Sequence, residues 1–500
     1  MNIKLVFKIL GLILMIEAGF LLFPLIIALI YSESDWLYFL ITAAGSMAVG
    51  ALLFRLKPAN KHIYSKEGYV IVGLAWIIMS LVGAVPFCIS GAIADYFNAV
   101  FESISGFTTT GITVLTDVET LSRSMLFWRS LTHWIGGMGV LVFMLAISPV
   151  ADGFSMYLMK AESPGPATEK ITPKISQTAK LLYVMYIILT AAEIIALMIS
   201  GLPLFESTLI AFATVATGGF SYLNTSLISF TTAQQIIVGV FMLLAGINFS
   251  LYFLTLTGRF KKAVKDIELI WYFIILAIGI ILISINVYIT KNQFNSWSGT
   301  IHHTVFAAIS SMTSTGFFAY DYNLWPWFSK GIILLLMFIG GCAGSTAGGL
   351  KVSRIILVFK TLKRYIKESI HPRGVNVIKY NGKTVSEDTM RSTAMYFMIF
   401  IVIMVCSMLI VSQDPDMDLD TTLASVATTL NNNGIEFKNV SVGGYGTFAW
   451  WTRLVYIIDM LIGRLEILPV MAIFASIFAP VTNVSKHFKR NYQKKHNSDK

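Results

Sequence analysis

Charged residues are scarce in this 500-residue chain. Only 13% of the residues are Asp, Glu, Lys or Arg, about half the share that soluble globular proteins carry. Hydrophobic residues make up 56%, and the mean hydropathy is +0.72. The apolar excess comes in runs of about 20 residues, which is long enough to cross a hydrocarbon core roughly 30 Å thick. The composition excludes a disordered chain, a fibre and a nucleic-acid-binding domain, and it predicts an all-α polytopic membrane protein.

Cysteine is rare, and several chemical motifs are missing. Cys88, Cys342 and Cys406 lie far apart in apolar segments without metal-ligand spacing, which is typical of small buried residues. No Rossmann-type glycine fingerprint occurs, so we expect no organic cofactor in this chain. No nucleophile and base converge, which argues against an enzyme. Three histidines are predicted to be packing or interfacial residues at the starts of helices or half-helices: His133, His302 and His303.

The apolar runs predict ten membrane spans, which places both termini on the same side. They lie at 9–31, 36–54, 68–90, 123–148, 179–200, 231–257, 268–290, 329–362, 391–412 and 447–480. The connecting segments alternate in charge, and most of the 37 basic residues fall on the side of the termini. The positive-inside rule therefore predicts that both termini are cytoplasmic.

Four of the outer segments are long, and each begins with a semi-apolar stretch too short to span a membrane. These segments are 91–123, 201–230, 291–330 and 413–446, and three of the stretches are 92–105, 204–216 and 297–311. Two interpretations fit such a stretch. It is either a re-entrant half-helix or an amphipathic helix that lies on the outer surface.

A fourfold repeat favours the half-helices. Each stretch is followed by a short polar segment with a glycine, and the four glycines, Gly111, Gly219, Gly316 and Gly434, recur about every 100 residues. Each unit consists of a span, a half-helix, a polar glycine segment and a second span. The predicted parts are a two-helix N-terminal extension (1–60), four repeats (61–160, 175–260, 266–370 and 388–482) and a basic cytoplasmic tail (483–500).

This repeat has a chemical meaning. A half-helix that stops inside the membrane directs its partially negative C-terminal end at the protein centre. Extended backbone at that depth is tolerated where it lines a wet cavity, and its oxygens can replace the water shell of a cation. The predicted filter residues are Thr109, Thr110, Gly111, Ile112, Thr217, Gly218, Gly219, Phe220, Ser314, Thr315, Gly316, Phe317, Asn432, Asn433, Gly434 and Ile435. None is acidic, which suits a weakly hydrated monovalent ion better than a divalent one.

Acidic residues lie close to these segments in the sequence. They are Glu102, Asp117, Glu119, Glu206, Asp321 and the acids of 414–420. We interpret them either as a means of concentrating cations at the outer mouth or as ordinary solvated loop charges. Glu436, directly after the fourth filter segment, could likewise bind cations or face water.

The eighth span is interrupted by five glycines in ten residues, which weakens a helix by several times ~1 kcal/mol. We predict an unwound intramembrane loop here. Helix packing through Gly340 and Gly344 is the alternative, while a phosphate loop is disfavoured because Lys351 is one residue out of register. The predicted gate residues are Gly340, Gly341, Cys342, Ala343, Gly344, Ser345, Thr346, Ala347, Gly348, Gly349, Lys351 and Arg464.

Arg464 lies within the last apolar span, where an unpaired cation is costly and marks function by default. Pairing with Asp459 or Glu466, or snorkelling of the side chain towards the cytoplasmic interface, is a purely structural alternative. The basic segments 354–373 and 486–496 are predicted to contact anionic lipid or a protein.

Four motifs carry a resemblance to a known family. They are SGFTTTG (105–111), SLTHWIGGMGV (130–140), GGCAGSTAGGLKVSR (340–354) and GRLEILPV (463–470). They resemble the Trk/Ktr/HKT superfamily of potassium transporters, and most closely its TrkH-type pore subunits. The resemblance covers essentially the whole chain. One departure follows Gly434, where relatives are expected to continue with a glycine-rich segment and this chain does not.

The resemblance implies four potassium-channel-like M1–P–M2 repeats around one pore, behind two extra N-terminal transmembrane helices. It implies potassium uptake across the inner membrane of a prokaryote. Plant relatives with serine at the first filter position favour sodium, whereas this chain has glycine at all four positions, which implies a preference for potassium. It further implies that the 340–349 loop occludes the pore and contacts Arg464. The implied partners are a second copy of the chain and a cytosolic nucleotide-binding regulatory ring of the RCK type, with no nucleic acid.

Potassium is then expected as a bound metal ion at the filter residues only. Channel-like entry and symport both fit this reading. A secondary transporter that couples a cation or solute to protons or sodium is the alternative function, although such proteins usually show two repeats with broken helices at the midplane rather than four.

Overall fold

The computed structural model describes residues 2–58, 65–139, 175–290, 296–372, 374, 376–435, 444–465, 467 and 469–471. Within these ranges the regular secondary structure is helical apart from one two-stranded antiparallel sheet. This confirms the all-α fold class.

The first two helices form a closely packed pair. Helix α1 spans Ile3–Ile30 and α2 spans Trp36–Phe54. A Cβ atom at Gly11 would lie 2.6 Å from the Gly50 carbonyl oxygen, and one at Gly50 would lie 2.7 Å from that of Gly11. The two backbones therefore touch at this crossing, as small residues allow between membrane helices.

The first repeat contains α3 (Ser65–Ile89), α4 (Tyr96–Phe107) and α5 (Arg123–Met138). The short helix α4 begins where the Asp95 carboxylate accepts hydrogen bonds from the backbone N–H groups of Phe97 and Asn98. Such an N-cap fixes where the half-helix starts. The remainder of the predicted span 123–148 lies outside the described residues.

In the second repeat, the apolar run predicted as the span 231–257 is broken into two helices. Helix α8 (Thr232–Ala245) and helix α9 (Phe249–Leu256) are bent by 90° relative to each other at residues 246–248. Asn248 begins α9 by accepting a hydrogen bond from the Ser250 N–H (2.9 Å), which fixes a new helix start within the apolar run. The helices of this repeat are α6 (Ile175–Ile199), α7 (Leu204–Val215), α8 (Thr232–Ala245), α9 (Phe249–Leu256) and α10 (Phe260–Val264).

The third repeat has an interrupted final helix, as its glycines predicted. Helix α13 ends at Ile339, helix α14 begins at Val352, and a loop joins them. The helices are α11 (Ile267–Ile289), α12 (Trp297–Met312), α13 (Trp327–Ile339) and α14 (Val352–Ile370), and strands β1 (Lys379–Tyr380) and β2 (Lys383–Thr384) follow them as a hairpin.

The fourth repeat contains α15 (Glu387–Val411), α16 (Leu419–Asn431) and α17 (Trp450–Leu465). Residues 472–500, which include the end of the predicted last span and the basic tail, lie outside the described ranges.

Within the described residues, six helices are long and apolar enough to cross a membrane, and the bent pair α8–α9 would make a seventh. The six are α1, α2, α3, α6, α11 and α15. The half-helices α4, α7, α12 and α16 are shorter, at 12 to 16 residues. The chain is therefore a multi-pass membrane protein.

Candidate functional site

All four half-helices end in the same way. The residue two positions before each repeat glycine has a left-handed backbone, with φ of 56° at Thr109, 56° at Thr217, 53° at Ser314 and 50° at Asn432. This conformation is uncommon outside glycine, above all for a β-branched residue such as threonine. Its recurrence at four equivalent positions gives the four repeats a common backbone geometry.

The next residue closes each helix end with one hydrogen bond. Its N–H donates to the carbonyl five residues earlier, which satisfies one of the last carbonyls of the helix. The four bonds, 2.8–3.0 Å long, are Thr110 to Ser105, Gly218 to Ala213, Thr315 to Ser310 and Asn433 to Thr428.

The four polar segments then meet around one axis. A Cβ atom at Gly111 would overlap the carbonyl oxygen of Gly218, in the second segment. One at Gly219 would overlap the carbonyl oxygen of the third segment, and one at Gly316 would overlap the backbone of the fourth. At Gly434 it would lie 3.1 Å from the Thr110 carbonyl oxygen, back in the first segment. Each segment contacts the next, so the four form a closed ring of backbone.

Asparagine side chains join the fourth segment to its neighbours. The Asn432 amide donates to the Thr110 hydroxyl (2.9 Å), and the Asn433 amide donates to the Ser311 carbonyl oxygen (2.9 Å). The structure thus brings the predicted filter residues of all four segments together.

The residue after each repeat glycine turns its side chain into the protein. Ile112, Phe220, Phe317 and Ile435 are at most 1% exposed. In three repeats a half-helix hydroxyl donates to the carbonyl of this residue: Ser105 to Ile112 (2.6 Å), Ser310 to Phe317 (2.7 Å) and Thr428 to Ile435 (2.8 Å). These bonds hold the segments to their own half-helices.

The second repeat has Ala213 at the hydroxyl position, and His133 holds its segment instead. The ring of His133 is fully buried, accepts a hydrogen bond from the Phe220 N–H at Nε2 (3.3 Å), and has Nδ1 2.8 Å from the Gly106 carbonyl oxygen. Nδ1 therefore carries the proton. The prediction that His133 lies at a helix start is wrong, because it lies well inside α5 and spans the first two segments.

Glu102 is a structural anchor, and its expected place at an outer mouth is wrong. Its carboxylate is 1% exposed and pairs with the Arg129 guanidinium at 2.7 Å. It also accepts hydrogen bonds from the Thr113 hydroxyl (2.9 Å) and the Val114 N–H (3.0 Å). The Arg129 guanidinium lies 3.4 Å from the centre of the Phe220 ring, so the pair joins the first two segments from behind.

Arg129 and His133 were not predicted as site residues. They lie four residues apart in α5, on one helix face, and both contact Phe220. Their spacing of four residues on one helix face is a sequence signal that marks both, and His133 also lies within the motif at 130–140. Asp414 was also misassigned, since it is 4% exposed and accepts hydrogen bonds from the Ala449 N–H and the Thr452 hydroxyl.

The other predicted polar residues are placed less centrally. Asp117 and Glu119 are exposed and both accept hydrogen bonds from Asn224, and the His302 ring donates from Nε2 to the Gln235 amide oxygen (2.7 Å). Glu436 lies outside the described residues. Among the described residues, no three His, Cys, Asp or Glu side chains are grouped as metal ligands.

The loop between α13 and α14 lies against the ends of the half-helices. The Thr346 hydroxyl donates to the Val215 carbonyl at the end of α7 (3.0 Å), and the Gly349 N–H donates to the Asn431 carbonyl at the end of α16 (3.2 Å). The Gly348 N–H donates to the Ser314 hydroxyl of the third segment. Loop donors thus occupy oxygens that the half-helices direct towards the axis.

This loop is not a helix-packing motif. Gly340 and Gly344 have φ of 73° and 74°, so the packing alternative for these glycines is wrong. The loop also uses the break in the second repeat, because the Cys342 N–H donates to the Gly246 carbonyl and the Phe249 N–H donates to the Gly344 carbonyl, both at 3.0 Å. The 90° bend leaves those groups free for the loop.

Arg464 connects the loop to the first repeat. One guanidinium nitrogen lies 2.9 Å from the Thr346 carbonyl oxygen, and another lies 2.5 Å and 2.6 Å from those of Gly136 and Gly137 at the end of α5. Asp459, an alternative partner, accepts a hydrogen bond from Ser407 instead (2.8 Å). The loop and Arg464 together contact all four repeats.

The loop carries a second cation. Lys351, only 3% exposed, follows the glycines and donates a hydrogen bond to the Ala347 carbonyl. Arg464 and Lys351 therefore place two positive charges next to a ring of segments whose own oxygens are neutral.

Four re-entrant hairpins around one axis define a pore-loop type of membrane transport protein, and comparisons agree. Residues 38–486 match the TrkH family, described as cation transport proteins. The Trk system potassium uptake protein TrkH of Salmonella typhimurium is 34% identical over 96% of this chain and 99% of its own length. TrkG of Escherichia coli is 32% identical over 91% of this chain and 94% of its own length.

A solved structure gives the same result. The crystal structure of the potassium transporter TrkH from Vibrio parahaemolyticus superposes with a TM-score of 0.86 at 30% identity, covering 96% of this chain and all of that one. The chain belongs to the TrkH family of cation transport proteins, which confirms the resemblance carried by its motifs.

Replacing Glu102 with glutamine should destabilise the protein. The change leaves the Arg129 cation buried without its partner, which typically costs about 3–5 kcal/mol. We expect a fall of several degrees in the thermal unfolding midpoint of the detergent-purified protein, and partial recovery in the double variant Glu102→Gln/Arg129→Met. Asp416→Asn, at an exposed acid, is the matched control. A Glu102→Gln protein as stable as this control would contradict the anchoring role.

Proposed function

We propose that this chain takes up potassium through the ring of four polar segments. The closed contact of each segment with the next is the observation that carries the proposal. Four half-helix C-termini directed at one point favour a cation there, and neutral backbone, hydroxyl and amide oxygens can replace the shell of a weakly hydrated ion. The names of the TrkH and TrkG relatives, which are potassium uptake proteins, support this choice of ion.

The same proposal makes the 340–351 loop a gate. In the conformation described here, loop donors occupy the terminal carbonyls of α7 and α16. Arg464 and Lys351 add positive charge on the path below the ring, where a permeating cation would meet repulsion in a poorly solvated environment. Withdrawal of the loop would free the carbonyls for the ion and remove part of this barrier.

We propose that the protein resides in the cytoplasmic (inner) membrane of a prokaryote with both termini in the cytoplasm. The excess of basic residues in the segments on the side of the termini supports this orientation. The division into a two-helix extension, four repeats and a basic tail, at the boundaries predicted from the sequence, belongs to the same proposal.

We further propose that two copies of this chain assemble with a cytosolic nucleotide-binding ring of the RCK type. Segment 354–373 and the basic tail 486–496 are the candidate contact surfaces, and they can also bind anionic lipid. The word system in the relatives' names supports an assembly of several components.

Gly111→Ser tests the filter. A Cβ at this position would overlap the Gly218 carbonyl oxygen, and the φ of 85° is unfavourable for serine. Rubidium, a potassium substitute, and sodium would be measured as flux into proteoliposomes. We expect the unmodified protein to favour rubidium and the variant to lose at least about tenfold of this preference, or ~1.4 kcal/mol.

Gly331→Ser, where a Cβ would meet nothing within 4 Å, is the matched control. Equal rubidium and sodium fluxes through the unmodified protein would reject a potassium filter, and flux of an organic solute would favour a secondary transporter.

Arg464→Ala tests the gate. Without the guanidinium, the loop loses its contact with the first repeat, and the axis loses one positive charge. We expect rubidium flux in the absence of any partner to rise several-fold, with a smaller rise for Arg464→Lys, which keeps the charge. Arg391→Ala, at an exposed basic position, should leave the flux unchanged. Parental flux through Arg464→Ala would exclude the barrier.

The proposed assembly can be tested by measuring the mass of the purified complex. When this chain is produced together with the cytosolic subunit of its own system, the two should co-purify as a complex containing two copies of this chain. Nucleotide should then change the rubidium flux of the reconstituted complex. A chain that stays monomeric and alone, with flux insensitive to nucleotide, would overturn the proposed partners.

A further inference from the structure

The first turn of α11 binds both the intramembrane loop and the start of α14. One oxygen of the Glu268 carboxylate accepts hydrogen bonds from the backbone N–H of Ala343, inside the loop (2.7 Å), and from that of Ser353, at the start of α14 (3.0 Å). Glu268 is only 5% exposed. Because one carboxyl oxygen accepts both N–H groups, this side chain joins the loop to the start of α14.

The same turn is bound by the β-hairpin. The Tyr380 hydroxyl lies 3.4 Å from the second oxygen of Glu268. The Asn381 amide donates to the Asp266 carboxylate (2.6 Å), and its oxygen accepts a hydrogen bond from the Ile267 N–H (2.9 Å). Asp266 in turn caps α11 by accepting from the Glu268 N–H at 2.8 Å. A continuous set of hydrogen bonds therefore runs from the hairpin through α11 to the loop.

The hairpin itself is a surface element with a well-defined turn. Lys379 pairs with Thr384 and Tyr380 with Lys383, which leaves two turn residues, Asn381 and Gly382, with φ of 47° and 78°. This is the type I′ turn that Asn-Gly favours. Asn381 thus shapes the turn with its backbone and binds α11 with its side chain, while residues 381–384 remain exposed.

We propose that the position of the hairpin 379–384 controls whether the intramembrane loop is held or released, with Asp266 and Glu268 as the positioning residues. Force or binding that moves the hairpin withdraws Tyr380 and Asn381 from the first turn of α11. That turn is then free to shift, and Glu268 releases the N–H groups of Ala343 and Ser353. This inference rests on the proposed function for its consequence, because only if the loop is a gate does its release open a pore.

Asn381→Asp tests the contact between the hairpin and α11 without removing the hairpin. Asp-Gly also suits a type I′ turn, so the turn should persist. The new carboxylate, however, faces Asp266 in place of an amide donor. Adding Asp266→Asn restores a donor and an acceptor with their places exchanged, and asparagine is as good an N-cap for α11 as aspartate. Tyr380→Phe, which removes one hydroxyl, is a milder second variant.

Cys342 supplies a reporter that does not depend on transport. It is fully buried beside Ala343 in the loop. In a background with Cys88→Ala and Cys406→Ala, its rate of alkylation by N-ethylmaleimide measures release of the loop. Loss of one charge-assisted hydrogen bond, about 1.5–3 kcal/mol, predicts a rate increase of roughly tenfold or more in Asn381→Asp. We expect a smaller increase in Tyr380→Phe, the parental rate in the exchanged double variant, and no change in Thr384→Ala at an exposed hairpin position.

Parental alkylation rates in both Asn381→Asp and Tyr380→Phe would overturn the proposal. An increase that the exchanged double variant fails to reverse would also overturn it, since the effect would not arise from this pair. Rubidium flux is measured on the same samples. If alkylation rises and the exchanged double variant reverses the rise while flux never changes, control of the loop by the hairpin is supported and the gate assigned under the proposed function is rejected.

Discussion

The polar backbone of a chain that enters a membrane and stops halfway must be satisfied without bulk water, and the structure depends on this constraint. Each half-helix ends inside the protein with carbonyls that no further turn can bind. The chain meets the problem four times with the same device, a left-handed residue followed by a hydrogen bond to the carbonyl five residues back. The four polar segments therefore share one backbone geometry, and each contacts the next around a ring.

The repeats share a backbone but not their supporting side chains. Three of them use a hydroxyl of the half-helix to hold the residue after the glycine, whereas the second uses His133 of the first repeat. The Glu102–Arg129 pair reinforces the same boundary through Phe220. A single chain can vary each quarter of a ring independently, which four identical subunits cannot do. In the third repeat the last helix is interrupted by a loop across the axis, whereas in the second repeat it is bent by 90° at residues 246–248.

That loop is held by complementary polar groups on every side. Its hydroxyl and N–H donors bind the oxygens at the ends of half-helices, and its carbonyls receive Arg464 and Lys351. At its base it is held by the carboxylate of Glu268. A segment secured by several discrete hydrogen bonds has a defined closed position, and its release requires a partner that can replace those bonds or move the groups that make them.

The sequence alone determined the features that arise from local pattern. Apolar run length predicted the spans, the recurring glycines predicted the repeats, and five glycines in a row of ten predicted the unwound loop. Tertiary structure decided the rest. The bend at Gly246–Asn248 is stable because the loop of the third repeat binds the backbone groups that the bend leaves unpaired. The Glu102 carboxylate is buried because it pairs with the Arg129 guanidinium. Likewise, the buried Arg464 finds oxygens in the loop and in α5, more than 100 residues away in the sequence. Local periodicity cannot reveal such partners, since they become neighbours only when the ring closes.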